Sequence, residues 1–335
     1  MSKRPSMAEL LTISPAGLYC EAGDFHIDPW KPVARAVITH GHSDHARPGS
    51  AAYLTAERGV AIVEARTGGA VEGIAYGESQ RMGNVTLSLH PAGHILGSAV
   101  VRVERDGEVW VVTGDYKADP DPTCAQFEPV RCHTLITECT FGLPIYRWPD
   151  ASEVFAQMNA WWRAAAAEGK TAVVFSYALG KAQRVLAGVD ASIGPIRTHG
   201  AVEAMNDRYR SAGVALPPTS PVMSGRVEPG SLVIAPPSAG RSPWMRRLGD
   251  TTTAFASGWM MVRGRRRQRS VDRGFVLSDH VDWPQLLDAV AESGAERVLP
   301  THGNTEVVAR WFREQGLESQ PLPTRFSATP EDDEE

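Results

Sequence analysis

The segment His40-Gly41-His42-Ser43-Asp44-His45 puts four potential metal ligands within six residues, directly after the apolar run Ala36-Val37-Ile38-Thr39. Side chains two apart on an extended segment point to the same side, so His40 and His42 can clasp one ion. Asp44 and His45 then lie beside it, within reach of a second. Gly41 lets the backbone fold tightly between the two histidines. Imidazole and carboxylate are donors that Zn²⁺ and related divalent ions accept. The chain holds 10 histidines in 335 residues, so this density is not that of a chance polar turn.

Three further residues supply what such a loop lacks. His94 stands in Ala92-Gly93-His94-Ile95-Leu96-Gly97-Ser98, Asp115 in Thr113-Gly114-Asp115-Tyr116, and His302 in Thr301-His302-Gly303. Each ends an apolar run beside a glycine, where the backbone can bend towards a shared cleft. The elements that must position them are short strands. Ala36–Thr39, Val85–Leu89, Val100–Glu104, Val109–Thr113 and Thr134–Thr137 read as strands, with a hairpin turn at Asp106-Gly107. Residues 150–168 read as a helix capped by Asp150 or Ser152 and stopped at Gly169. Thr171–Phe175 reads as a buried strand, with a helix opening at Leu179-Gly180-Lys181. This alternation marks an α/β unit. The last third returns to strands running into polar loops at Ser278-Asp279-His280 and Thr301-His302-Gly303, each followed by a helix.

Composition sets few limits. Hydrophobic residues are 42% and charged residues 22%, ordinary for a globular chain with a sizeable core. Cys20, Cys124, Cys132 and Cys139 form no C-x-x-C pair and read as reduced thiols of a cytoplasmic protein. No run approaches about 20 apolar residues, so neither a membrane span nor a signal peptide is expected. The acidic excess, 39 Asp and Glu against 34 Lys and Arg, equals the five residues Glu331–Glu335. The rest of the chain is balanced, and net charge does not argue against a nucleic-acid partner.

His40-x-His42-x-Asp44-His45, followed in order by His94, Asp115 and His302, resembles the metallo-β-lactamase fold. Within it, Glu138-Cys139-Thr140-Phe141-Gly142, Ser278-Asp279-His280-Val281-Asp282 and Thr301-His302-Gly303 resemble blocks of the β-CASP nucleases. Ala178-Leu179-Gly180-Lys181-Ala182-Gln183 resembles a helix-opening segment of that family's inserted cap. The resemblance runs from about Gly17 to Phe312. It leans to the bacterial exonucleases associated with ATP-dependent DNA ligases, which resemble mRNA 3′-end processing factors. It implies an α/β fold, a metallo-β-lactamase αββα sandwich with an inserted small α/β cap. The implied boundaries are residues 1–142 and 274–328 for the sandwich, 143–273 for the cap, and 329–335 for an acidic, disordered tail.

The resemblance also implies the site. His40, His42 and His94 would hold one divalent ion, Asp44, His45 and His302 a second, and Asp115 would bridge them. Zinc is expected, with Mn²⁺ or Mg²⁺ as alternatives for activity. A hydroxide bridging both ions would attack phosphorus in line, with Asp44, His280 and Glu138 as catalytic residues. His280 would contact phosphate and protonate the leaving oxygen, with Glu138 orienting it. DNA is favoured as substrate, in an exonuclease of repair or end processing that partners a ligase and a helicase. RNA is the alternative, favoured by the retention of His302. A small-molecule hydrolase on the same fold is disfavoured by the Glu138 and His280 blocks. Arg263, Arg265, Arg266, Arg267 and Arg269 form a candidate phosphate track, and Trp244 a candidate base-stacking residue. His26, His90, His133 and His199 are read as structural, and Cys139 as a small buried hydrophobe.

Overall fold

The computed structural model describes residues 9–223, 227–262 and 271–323. Arg263, Arg265, Arg266, Arg267, Arg269 and the acidic tail therefore lie outside the described residues. The described chain is mixed α/β and carries three sheets.

The first sheet runs in chain order through β1 (Thr12–Ser14), β2 (Gly17–Cys20), β3 (Phe25–Ile27), β4 (Ala36–Val37), β5 (Tyr53–Ala56) and β6 (Val71–Ile74). From β3 onward its strands are parallel. β4 is shorter than the apolar run suggests. Thr39 leaves the ladder because its N–H bonds to the Asp28 carboxylate at 2.8 Å and its carbonyl accepts from Ala99 of the second sheet at 2.8 Å. Helix α1 (Val60–Thr67) follows β5.

The second sheet begins as an antiparallel meander of β7 (Ser79–Met82), β8 (Val85–Pro91), β9 (Ala99–Arg105) and β10 (Glu108–Val112). Asp106 and Gly107 turn the β9–β10 hairpin with φ of 53° and 83°, the two positive values a type I′ turn needs. β11 (Thr134–Cys139) then adds in parallel. The two sheets face each other across one core, in which Leu18, Phe25, Val37 and Leu54 meet Leu87, Val101, Val103 and Ile136.

Helix α2 (Ala151–Ala167), capped by the Asp150 side chain on Ser152 N–H, leads into the third sheet. Its strands are β12 (Thr171–Phe175), β13 (Ile196–Thr198), β14 (Ser220–Pro221), β15 (Leu232–Ala235), β16 (Thr251–Ala256) and β17 (Arg273–Phe275). Their order is β14-β13-β15-β12-β16-β17 and every pairing is parallel. Apolar clusters cover both faces, as a parallel sheet requires: Met158, Trp162, Val185 and Leu186 on one, Leu248, Met260 and Trp259 on the other. The helices α3 (Lys181–Gly188) and α4 (Gly200–Ser211) connect its strands.

The chain then returns to the second sheet. Helix α5 (Trp283–Ser293) precedes β18 (Arg297–Gly303), which pairs in parallel with β11, and α6 (Thr305–Glu314) precedes β19 (Glu318–Ser319). Leu286 and Val290 of α5 and Val308 and Phe312 of α6 cover the face of this sheet that β11 and β18 present with Leu135 and Val298. One irregularity matters for the site. Glu138 pairs with Thr301 and Cys139 with Gly303, so His302 is an extra residue in the ladder, a β-bulge. Its φ is +53°, rare for a residue with a side chain.

Candidate metal centre

The site forms where strands of the first two sheets run out beside the third. Past β4, the chain enters the His40–His45 loop, which turns through bonds from His45 and Ala46 N–H to the His42 carbonyl. Gly41 is needed here for space. A Cβ would stand 2.4 Å from Ile62 of α1, while the backbone shows no positive φ. The expected role in tight turning thus becomes one of close approach. His94 follows β8, Asp115 follows β10, Glu138 ends β11 and His302 lies in the β18 bulge.

The imidazoles meet closely. His42 Nδ1 lies 3.1 Å from His40 Nε2 and 3.1 Å from His94 Nε2. The hydrogen-bond network fixes which nitrogens carry protons. His94 Nδ1 donates to the Asp279 carbonyl at 2.8 Å, and His42 Nε2 to the Leu179 carbonyl at 3.3 Å. Thr39 Oγ1 donates to Asp28 at 2.6 Å, so it accepts from His40 Nδ1 at 3.0 Å. Three inward nitrogens therefore present lone pairs to one another, and Asp115 Oδ2 lies 3.5 Å from His40 Nε2. Ligands about 2.0–2.1 Å from a tetrahedral zinc sit about 3.3 Å apart, which fits this spacing.

A second group shares Asp115. His45, Asp115 and His302 offer donor atoms to one point, and Asp44 Oδ2 lies 3.4 Å from His45 Nε2. His45 Nε2 and Asp115 Oδ1 are buried without a hydrogen-bond partner. Such orphaned polar atoms are costly unless a cation satisfies them. Five imidazoles with these carboxylates are a donor set suited to one or more divalent transition ions.

The electrostatics agree. Burial holds His40 and His42 below the ordinary imidazole range, with the neighbouring His45 adding to the effect on His40. Burial also takes His94 to about 3, helped by His280 and His42. Neutral imidazole is the form that binds metal. For His45, burial is outweighed by Asp44, Asp115 and Asp28, which hold it well above the usual value. Burial would raise Asp115, but His45 and His280 hold it well below the carboxylate range.

His280 stands next to the cluster, its ring 4.8 Å from that of His94. Its Nδ1 donates to Glu138 Oε1 at 2.7 Å, and Glu138 also accepts from Tyr116 N–H and Thr140 N–H. Burial would lower His280, yet Glu138, Asp115 and Asp279 lift it to about 10. Those carboxylates favour its protonated form in the metal-free cluster. Phe141, Tyr177, Trp259, Lys181, Arg66 and His199 are among the residues lining the adjoining cleft of about 410 Å³ between the third sheet and the rest.

The remaining positions singled out in the sequence have these surroundings. Trp244 is half-buried and packs edge-on to His199 at 5.1 Å, against the outer cluster of the third sheet. His199 caps α4, His26 bonds Ser14, His90 bonds Ser88, and His133 accepts from Val109 N–H. The four cysteines are free thiols. Burial pushes the Cys139 thiol well up, and its Sγ bonds the His302 carbonyl at 2.8 Å.

Sequence reasoning missed Asp28. Its carboxylate accepts from His45 Nδ1 at 2.7 Å and anchors Thr39. The available signal was an acid at the end of the short apolar run Phe25-His26-Ile27, the same arrangement that marks the other site residues. It also missed the Lys181–Asp279 ion pair, both partners of which are buried.

No protein-family model matches the chain. It is 31% identical over 314 residues to a probable DNA ligase of Opitutus terrae, covering 90% of this chain and 30% of that protein. An RNase J-like protein of Methanocaldococcus jannaschii is 30% identical, over 33% of this chain and 27% of its own. Cleavage and polyadenylation specificity factor 73 of Drosophila melanogaster is 28% identical, over 36% of this chain and 18% of its own. The chain thus spans less than a third of each of these relatives. A crystal structure of a protein of unknown function from Enterococcus faecalis shares the fold with a TM-score of 0.59, 11% identity, and coverage of 88% of this chain and 80% of that one. Among the described residues, no helix is long and apolar enough to cross a membrane.

Proposed function

From the premise that this chain is a homologue of the β-CASP metallo-β-lactamase nucleases, we propose that it is a metal-dependent DNA exonuclease. The observation that carries metal dependence is the convergence of His40, His42 and His94 nitrogens, and of His45 and His302, on the one buried carboxylate of Asp115. His40, His42, His94 and Asp115 would hold one ion, and Asp44, His45, His302 and Asp115 a second, with zinc, Mn²⁺ or Mg²⁺ as candidates. Bound there, divalent ions supply Lewis acidity, which activates water near neutral pH and offsets charge on phosphate oxygens. On this reading residues 1–142 and 274–328 form an αββα sandwich and residues 143–273 a β-CASP-like cap.

The protein's own residues do the rest. Glu138 holds His280 by Nδ1, which leaves Nε2 to donate. His280, in its protonated form, binds a phosphate oxygen and passes its proton to the leaving oxygen. Phe141, Tyr177 and Trp259 give the cleft apolar surface against which a base can stack and from which water is excluded. The preference for DNA rests on the alignment with the probable DNA ligase along most of this chain, which also motivates a ligase partnership. RNA is the second reading, supported by relatives named as ribonucleases and by His302.

End-labelled single-stranded DNA, duplex DNA and RNA, incubated with Mn²⁺, Mg²⁺ or Zn²⁺, test this. DNA shortened progressively from one end, by the wild type and not by Asp44→Ala, is the expected result. Equal cutting by the variant sinks the reading. Cutting of RNA alone moves it to the second.

A further inference from the structure

The two groups of donors differ in what holds them. Asp28, which orients His45 directly and His40 through Thr39, follows β3 of the first sheet, and His302 sits in the second. His42 and His94 are oriented from the other side of the cleft. His42 bonds the carbonyl of Leu179, in the turn that opens α3. His94 bonds the carbonyl of Asp279, whose side chain pairs with Lys181, the first residue of α3. Arg184 of the same helix bonds the Ser278 carbonyl and lies 3.3 Å from Asp121. The loop after His94 is gripped too. A Cβ at Gly180, whose φ is +85°, would stand 2.3 Å from Ile95, and the Leu96 N–H bonds Tyr209 of α4 at 3.1 Å. Ile62, Ile95, Leu96, Leu179 and Tyr209 close the junction as one apolar cluster.

Burying an ion pair rarely gains stability over an apolar pair of similar volume. Lys181 and Asp279 are 3% and 2% exposed, and their position explains why the pair is there. We propose that Lys181 is a positioning residue: by fixing Asp279 it aims His94, so the third-sheet segment governs ion binding at His40, His42 and His94 but not at His45 and His302. This rests on the metal-centre reading above.

Full-length protein is stripped of metal and titrated with Zn²⁺, with ions counted per chain and affinity measured by competition. Wild type should take up two ions. Because Lys181→Met alone leaves a buried lone carboxylate, Lys181→Met/Asp279→Asn is the test variant, which keeps the shape without the charges. It should keep its Tm and one tight site, with the other weakened about 10–100-fold, the usual effect of losing a ligand's support. Lys181→Arg alone, which keeps a cation beside Asp279, should weaken that site far less. His302→Asn, which tolerates the positive φ and leaves Asp28 and Thr39 in place, should weaken the other site, and the combined variant should hold neither tightly. Two unchanged sites in the double variant overturn the positioning role while leaving the metal centre intact. So does one tight site surviving in the combined variant, since both changes would then act on the same ion. A wild type that takes up no ion overturns both readings.

Discussion

His45 and His94 are both buried imidazoles facing Asp115, yet they prepare for a cation in opposite ways. His45 donates to a carboxylate, Asp28, and has Asp44 and Asp115 within 3.4 and 3.6 Å of its other nitrogen. That field retains a proton, so an incoming ion must displace it. His94 donates to a backbone carbonyl, which fixes its tautomer without adding charge. Burial keeps it neutral down to about 3, so its lone pair is available at once. The comparison teaches that a shared carboxylate can join one position prepared by charge to one prepared by geometry.

Among the described residues, Asp115 is the one the two proposed positions share, and Asp115→Ala should have the largest effect. Cleavage should fall on the order of 10³-fold or more, with loss of ion uptake at both positions. Retention of two tightly bound ions would contradict the bridging role. His280→Ala removes a residue that borders His94 but is not assigned as a ligand of either position. We expect kcat to drop about 10²–10³-fold while the ion count stays unchanged, and a loss of ions would show that His280 is a ligand instead. Asp28→Asn acts first on His45, which bonds it directly, and reaches His40 only through Thr39. Zn²⁺ affinity at one position should weaken about 10–100-fold, with the proton release that accompanies binding reduced. Unchanged proton release, read by titration in two buffers, would remove the charge-based half of the contrast.

The smallest effect is on the metal-free protein's stability with pH. His94 is neutral when folded down to about 3, below its ordinary 6.5, so unfolding takes up a proton between those limits. Its presence therefore makes stability fall as pH drops through that window. His280 keeps its proton up to about 10, so its stabilising contribution is complete below 6.5 and is lost as pH rises towards 10. The Tm should decline by a few degrees on each side of about 6.5. His94→Asn should make the acid limb shallower and leave the alkaline limb as it is, and an acid limb as steep as the wild type's counts against the assignment.

Much of this centre could be read from the chain because its residues stand at the ends of apolar runs. Strand periodicity shows where a run stops, and His40, His94, Asp115 and Glu138 all follow such stops. Periodicity does not say which strands are neighbours. Asp28 reaches His45 because β3 and β4 pair in parallel, Ile27 opposite Val37, which places the residues beyond both strands together. Lys181 and Asp279 are 98 positions apart, and nothing local in either segment points to the other. The short β4 had a similar cause, since Thr39 is drawn off the ladder by groups from two other segments. The Arg263–Arg269 track lies outside the described residues, and Trp244 packs against His199 instead of lining the cleft.

The bulge in β18 has an evolutionary consequence. Thr301 and Gly303 pair with β11 on either side of position 302, so the residue there stands outside the ladder's regular register. Replacement there by Asn or Gly, which accept a positive φ, would alter the chemistry of the cleft and leave the scaffold undisturbed. Selection can thus retune this corner of the site by single substitutions, whereas His40 and Asp115 offer no such freedom.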